Sequence, residues 1–278
     1  MRFEKIYLKE HFPELGENGC NAYVECCLPT NCQNVGMPFS GKKFPAMVIC
    51  PGGGYNITSD IEAEPVALQF LSKGYRTFVV RYSVDPHCFP QQLREVAAVM
   101  ELIHRNADEW KIDVSHIGII GFSAGGHLAA QYTNRYDCPE VREIFPESKP
   151  VHASILSYAV LTSHPDFKHE ASIRHYVGHA PTERNEKGCS CELMVTAKTP
   201  PTFLWHTSED EIVPVENSLL YAQALSAHKV PFEMHVYPYG NHGLSTANKL
   251  LWEELDERHA RATKWIEDAK IWLELQGF

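Results

Sequence analysis

Residues His116 to Tyr136 join three features without a gap. An apolar run, H-I-G-I-I, meets the turn Gly121-Phe122-Ser123-Ala124-Gly125, and the helix-forming run A-G-G-H-L-A-A-Q-Y follows at once. A strand that passes directly into a helix belongs to a parallel sheet, because the crossover must carry the chain back to the edge where the next strand starts. The rest of the chain repeats this rhythm. Lys43 to Cys50, Arg76 to Tyr82, Val151 to Ser157, Thr202 to Thr207 and Phe232 to Tyr237 read as strands. Glu62 to Lys73, Gln91 to Asn106, Ala124 to Tyr136, Glu216 to His228 and Lys249 to Trp272 read as helices, by apolar spacing. The expected architecture is α/β: a mostly parallel central sheet with helices on both faces. The runs near Lys5 to Leu8 and Asn21 to Leu28 have no helix between them and are expected to pair antiparallel at one edge. Thr162 to Pro201 breaks the rhythm and is too short for a second domain. It reads as a substrate-facing loop with short helices, a plain surface connection being the alternative. Residues 1–278 are thus expected to form a single domain.

Charge and composition exclude several functions. Lys and Arg number 25 against 35 Asp and Glu, a net charge of −10, which argues against a nucleic-acid partner and against a polybasic membrane anchor. The N-terminus shows no apolar signal region, and runs such as Ala46 to Cys50 are too short to span a bilayer. Nine cysteines, an odd number, fit free thiols in the cytoplasm better than a disulfide framework. Cys20, Cys26, Cys27 and Cys32 lie close together, and Cys189 and Cys191 form a C-x-C. None of these has the paired C-x-x-C spacing of a zinc site, so neither a metal nor another cofactor is expected.

The chemistry centres on Ser123. A Gly-x-Ser-x-Gly between strand and helix sets a serine on a strained turn, with its hydroxyl above the sheet. Ala124 then sits at the helix N-terminus, where free N–H groups favour an anion. Serine needs a base, and His242 is the candidate, on the loop after the strand F-E-M-H-V-Y. The acid should fall between them in the chain. The strand ending at Thr207 opens into Ser208-Glu209-Asp210-Glu211, and Asp210 at the turn centre is the candidate. Pro51-Gly52-Gly53-Gly54-Tyr55 follows the strand A-M-V-I-C, at the position of an oxyanion loop. The expected oxyanion donors are the Ala124 N–H with that of Gly53 or Gly54, each worth about 3 kcal/mol of barrier. Tyr55 is the candidate substrate-binding residue. No Lys-Ser/Thr follows the glycines, which excludes a P-loop.

These segments resemble the α/β-hydrolase superfamily, and within it the small esterase/lipase-like branch of acetyl xylan esterase-like and feruloyl esterase-like proteins, sometimes called sugar hydrolases. The resemblance runs through Cys50–Tyr55, Glu62–Ala67, Gly74–Ser83, Gly121–Leu128, Ile155–Tyr158, Thr199–His206, Asp210–Ser218 and Gly240–Leu244. It implies an α/β-hydrolase fold with little or no lid domain and a Ser123–Asp210–His242 triad. Pro51 stands where better-known esterases carry the His of HGGG; this branch commonly reads P-G-G-G-Y.

The expected activity is cleavage of small carboxylic esters, such as acetyl esters of sugars, through an acyl-enzyme on Ser123. An amidase, formamidase or peptidase of the same fold is one rival. An inactive binding or regulatory homologue is another, and a cysteine-rich metal protein a third. A glycosidase would need two carboxylates flanking the scissile bond, and no such pair is evident. Trp252, Trp265, Ile266 and Trp272 near the C-terminus are expected to pack on the sheet, with a homodimer interface as the alternative.

Overall fold

The computed structural model describes residues 2–16, 21–29, 41–180, 182–248, 251 and 258–278. Its elements open with β1 (Arg2–Tyr7), α1 (Leu8–His11), β2 (Tyr23–Leu28), β3 (Phe44–Cys50), α2 (Glu64–Leu71), β4 (Arg76–Arg81) and α3 (Gln91–Arg105). The centre of the chain forms β5 (Ile112–Phe122), α4 (Ser123–Arg135), α5 (Pro139–Arg142) and β6 (Ala153–Ser157). Then come α6 (Glu170–Val177), α7 (Glu183–Lys187), β7 (Thr202–Thr207), α8 (Glu216–Ala227), β8 (Phe232–Tyr237) and α9 (Trp265–Leu275).

Among the described residues these strands make one sheet in the order β1-β2-β4-β3-β5-β6-β7-β8. The run from β4 to β8 is parallel, while β1 pairs with β2 and β2 with β4 in antiparallel register. These two strands thus sit at one edge as expected, although the one-turn helix α1, absent from the sequence reading, lies between them.

Strand periodicity divides the core into two layers. In β3, Ala46, Val48 and Cys50 face a layer that holds Leu93, Val96, Leu128 and Tyr221 from α3, α4 and α8. Met47 and Ile49 face the other, with Val66 and Phe70 of α2 and Trp265, Ala269 and Trp272 of α9. Burial of both faces explains why the central strands read as continuous apolar runs. Trp265, Ile266 and Trp272 are buried in this second layer, with the Trp265 ring stacked 5.0 Å from that of Trp205. Trp252, Cys20 and Cys32 lie outside the described residues.

Two helix boundaries differ from the periodicity. The expected helix over Glu62 to Lys73 is a 3-10 turn, Asp60–Glu62, followed by α2 from Glu64. Pro65 is accommodated only in the first turn of a helix, so α2 starts there, and Glu62 turns inward. At the C-terminus the described part of the expected helix is a 3-10 turn, His259–Lys264, and then α9, which runs on to Leu275. The remainder of that stretch, 249–250 and 252–257, is outside the described residues.

The strand order reverses at β3. From there the chain goes to β4 on one side and, through α3, to β5 on the other. In open α/β sheets the crevice at such a switch point, outside the C-terminal strand ends, is where ligands bind. The loop after β3 and the turn after β5 both end there.

Candidate active site

Ser123 is the first residue of α4 and has φ 52°, a left-handed backbone that a non-glycine residue rarely adopts. The turn is this tight because the helix lies against the sheet with no room for side chains. A Cβ on Gly121 would come within 2.3 Å of the Gly125 carbonyl oxygen, and one on Gly125 within 2.1 Å of the Cys50 oxygen. The glycines either side of the serine are therefore steric requirements.

The structure brings together the three residues from the ends of β5, β7 and β8. Ser123 Oγ lies 2.8 Å from His242 Nε2, and His242 Nδ1 lies 2.7 Å from Asp210 Oδ2. Asp210 is satisfied on every side. Its Oδ1 accepts the N–H groups of Ile212 and Val213 at 3.0 and 2.9 Å, and its Oδ2 also lies 3.3 Å from His206 Nε2. Burial pushes the carboxyl up, but hydrogen bonds from His206 and His242, the His242 charge and the Val213 N–H together hold it well below the usual carboxylate range. An ionised Asp210 accepts from His242 Nδ1–H, which leaves Nε2 free to accept the Ser123 proton.

His206 has no place in the sequence-derived site. It is the penultimate residue of the strand T-F-L-W-H-T and is wholly buried. Its Nε2 lies 2.9 Å from the Val213 carbonyl oxygen and its Nδ1 2.8 Å from Ser218 Oγ. A carbonyl can only accept, so Nε2 carries the proton and points it at both Val213 and Asp210. The signal available in sequence was its position, four residues before Asp210 at the end of a buried strand.

The Pro51–Tyr55 loop is held at each of its first four residues. Pro51 accepts the Tyr82 hydroxyl at 2.6 Å. The Gly52 N–H donates to Glu62 Oε2 at 2.8 Å, and the Gly52 carbonyl accepts from Ser59 N–H at 3.0 Å. The Gly53 carbonyl accepts from Asn56 and Ile57, and the Gly54 carbonyl accepts from His175 Nδ1 at 2.8 Å. Gly52 N–H is therefore taken, whereas those of Gly53 and Gly54 find no acceptor among the described residues. Gly53 and Gly54 both have positive φ, 119° and 65°, which turns the backbone as a glycine allows. Ala124 lies in the first turn of α4, where N–H groups lack intrahelical acceptors.

Glu62 is the second residue that sequence reading missed. It is buried, accepts Gly52 N–H on one oxygen and the Tyr158 hydroxyl on the other at 2.6 Å. Burial raises its carboxyl above the usual range, and the Tyr158 and Gly52 hydrogen bonds offset part of that rise. Tyr158 in turn accepts Ser245 N–H at 2.9 Å and sets its ring edge-on to His242, 5.1 Å between centroids. A single network thus connects the glycine loop to the histidine and the loop after it.

Tyr55 is placed differently from its expected substrate-binding position. It is fully buried, its ring packed on those of Tyr82, Tyr176 and His127 and its hydroxyl 2.8 Å from His127 Nδ1. It supports the loop from behind and offers a substrate no surface. Its partner His127 also lies inside, with burial lowering it to about 4. Neutral His127 donates from Nε2 to the Cys189 carbonyl at 3.1 Å and accepts the Tyr55 hydroxyl. Thr162 to Pro201 is therefore tied down: Cys189 rests on α4, Ser163 and Ser190 are bonded to each other, and α6 reaches Gly54 through His175.

The chain is similar to several known proteins. A family model described as BD-FAE matches residues 36–225. Endo-1,4-beta-xylanase B of Butyrivibrio fibrisolvens is 37% identical over 210 residues, 73% of this chain and 33% of that protein. The acetylxylan esterase of Xylanibacter ruminicola is 29% identical over 234 residues, 82% of this chain and 45% of that protein. The chain thus spans less than half the length of these curated relatives. Among solved structures, an acetyl ester-xyloside bifunctional hydrolase from Caldicellulosiruptor lactoaceticus superposes with a TM-score of 0.85 at 34% identity, covering 100% of this chain and 97% of that one.

Proposed function

The chain belongs to the BD-FAE family and has an α/β-hydrolase fold, and from that premise we propose that it is a serine ester hydrolase acting on small acyl esters, acetyl esters of sugars foremost. The observation that carries this reading is the continuous hydrogen-bonded chain from Ser123 through His242 to Asp210, beside unengaged backbone N–H groups. The sugar comes from the names of the relatives, acetylxylan esterase and acetyl ester-xyloside hydrolase.

In the proposed reaction His242 Nε2 takes the Ser123 proton as Oγ attacks the ester carbonyl. The carbonyl oxygen becomes an oxyanion, held by the N–H of Ala124 and that of Gly53 or Gly54. His242 then returns the proton to the leaving alcohol, and Ser123 keeps the acyl group as an ester. Water, deprotonated by His242, attacks that ester and releases the carboxylic acid. Asp210 stays ionised throughout and stabilises the His242 cation. Because the glycine loop is held in place before substrate arrives, little reorganisation is needed when charge develops.

Residues 1–278 read as one domain, since strands from Arg2 to Tyr237 and the helix α9 share two core layers. Among the described residues no helix is long and apolar enough to cross a membrane. Free thiols at Cys26, Cys27, Cys50, Cys189 and Cys191 support a cytoplasmic location.

Ser123→Ala tests the assignment. The purified variant should lose at least about 10⁴-fold in kcat on p-nitrophenyl acetate and should no longer react with a fluorophosphonate probe. Wild-type turnover by the variant would overturn it. The same acyl group presented as ester and as anilide separates an esterase from an amidase.

A further inference from the structure

One histidine near the glycine loop has no role in the reaction described above. His169 precedes α6 and is half-buried, with Nδ1 2.7 Å from Ser172 Oγ. Ser172 is almost completely buried, and its Oγ lies 3.8 Å from the point a Cβ on Gly54 would occupy. One turn on, His175 Nδ1 donates to the Gly54 carbonyl. Helix α6 is therefore bonded to the glycine loop through His175 and packs beside it at Ser172, which in turn holds His169.

We propose that His169, held by Ser172, forms the alcohol-side subsite and hydrogen-bonds a hydroxyl neighbouring the ester on a polyhydroxylated leaving group such as a sugar. The position suits that task. The leaving alcohol must lie on the His242 side, because His242 Nε2 returns its proton. His169 stands near the reacting groups: Ser172, which holds its Nδ1, lies beside Gly54, and burial and the His242 charge both lower its affinity for a proton while Asp210 opposes them. An uncharged imidazole serves either way. With Nδ1 accepting from Ser172, Nε2–H donates to the sugar; with Nδ1–H donating, Nε2 accepts from it. Among the described residues His169 Nε2 has no hydrogen-bond partner. The cleft of about 310 Å³ beside Arg81, Ser83 and Asp85 opens at the antiparallel edge, and its Arg81 is already paired with Glu25 and Asp60.

The inference rests on the ester-hydrolase reading above, and its test keeps the two apart. Three probes are compared on the full chain: p-nitrophenyl acetate, a methyl xyloside monoacetate with a free hydroxyl beside the ester, and its deoxy analogue lacking that hydroxyl. Wild type should favour the hydroxylated ester over the deoxy ester about tenfold in kcat/KM, the worth of one hydrogen bond. His169→Ala should level the two. His169→Asn, which keeps a donor and an acceptor, should restore part of the preference. The level of folded protein is read from circular dichroism for each variant. A preference that survives in His169→Ala overturns the proposal, as does a wild type that cleaves p-nitrophenyl acetate but does not distinguish the two sugars. A wild type that cleaves none of the three and leaves the fluorophosphonate probe unreacted overturns the ester-hydrolase reading itself.

Discussion

Asp210 and Glu62 are both buried carboxylates, one bonded to His242 and the other to the glycine loop, and burial pushes both up. They end in opposite states. Asp210, at the turn after β7, is held well below the usual range; Glu62, in the 3-10 turn before α2, stays above it. The difference lies in what surrounds them. Asp210 meets two imidazoles and two backbone N–H groups, one of the imidazoles able to carry charge. Glu62 meets a phenol, one N–H and the Ser59 side chain, and feels the His242 charge without a hydrogen bond to it. Ionised groups and several donors overcome desolvation, and fewer neutral donors offset only part of it. The lesson is that depth of burial does not set a carboxylate's role. In the proposed mechanism Asp210 supplies charge to a cation that comes and goes, whereas Glu62 supplies shape, by fixing Gly52 and Tyr158.

That contrast can be broken at either end. Asp210→Asn should have the largest effect, a fall of about 10⁴-fold in kcat on p-nitrophenyl acetate, because an amide neither stabilises the His242 cation nor fixes its tautomer. A loss of less than tenfold would mean that charge at this position is not what the site uses. Glu62→Ala should come next. Freed from its carboxylate, Gly52 loses its anchor and the neighbouring donors lose alignment, for a loss of about 10- to 100-fold in kcat, less than deletion of a whole oxyanion donor. Its urea midpoint should also report about 1–3 kcal/mol of lost stability, since the Tyr158 O–H and the Gly52 N–H are left buried without an acceptor. An unchanged kcat beside reduced stability would make Glu62 a packing residue only.

Tyr158→Phe should cost less activity, under about tenfold, because the ring that packs on His242 remains while the link to Glu62 and Ser245 is lost. Steady-state kinetics and the urea midpoint together measure both parts.

The smallest effect is on pH dependence, and here the two carboxylates should differ in sign. The folded chain binds the Glu62 proton more tightly than the unfolded chain does. The stability this contributes is fully present below the ordinary Glu range and is lost as pH rises through the raised folded value. Glu62→Gln, which does not titrate, should therefore gain on wild type across that window by up to about 1.4 kcal/mol per unit of displacement. For Asp210 the depressed folded value contributes stability above the ordinary Asp range, lost as pH falls towards that value. Asp210→Asn should accordingly be most destabilised relative to wild type near neutrality, and the gap should close in acid. Urea midpoints measured across the acid range test both slopes, and parallel slopes for the two variants would break the comparison.

How much of this was legible in the chain depends on whether the signal was local. The strands β7 and β8 fall at the boundaries their apolar runs mark, and the Ser123 turn is recognisable because strand, glycines and helix are contiguous. The order Ser123, Asp210, His242 was readable because each follows a strand, and parallel strands end on one edge. Glu62 was not readable: in sequence it is an acidic residue in a helix-like stretch, and its partner Tyr158 is 96 residues away. His206 looks like a strand residue until Val213 and Ser218 are folded back onto it. Tyr55 was misjudged for the same reason. Its place beside the glycines suggests the pocket, but Tyr82, His127 and Tyr176 enclose it from other elements.

The amino-acid sequence by itself determined the layered architecture and the candidate nucleophile, acid and base at three strand ends. These follow from periodicity and from steric rules that act within a few residues. Only the tertiary structure decided which side chains hold those groups in place: His206 and the two N–H groups on Asp210, Glu62 and Tyr158 between the glycine loop and His242, and α6 against Gly54. Such contacts join residues distant in the chain, and their strength comes from burial, which removes competing water and makes each unpaired polar atom costly. Neither property exists until the sheet is assembled.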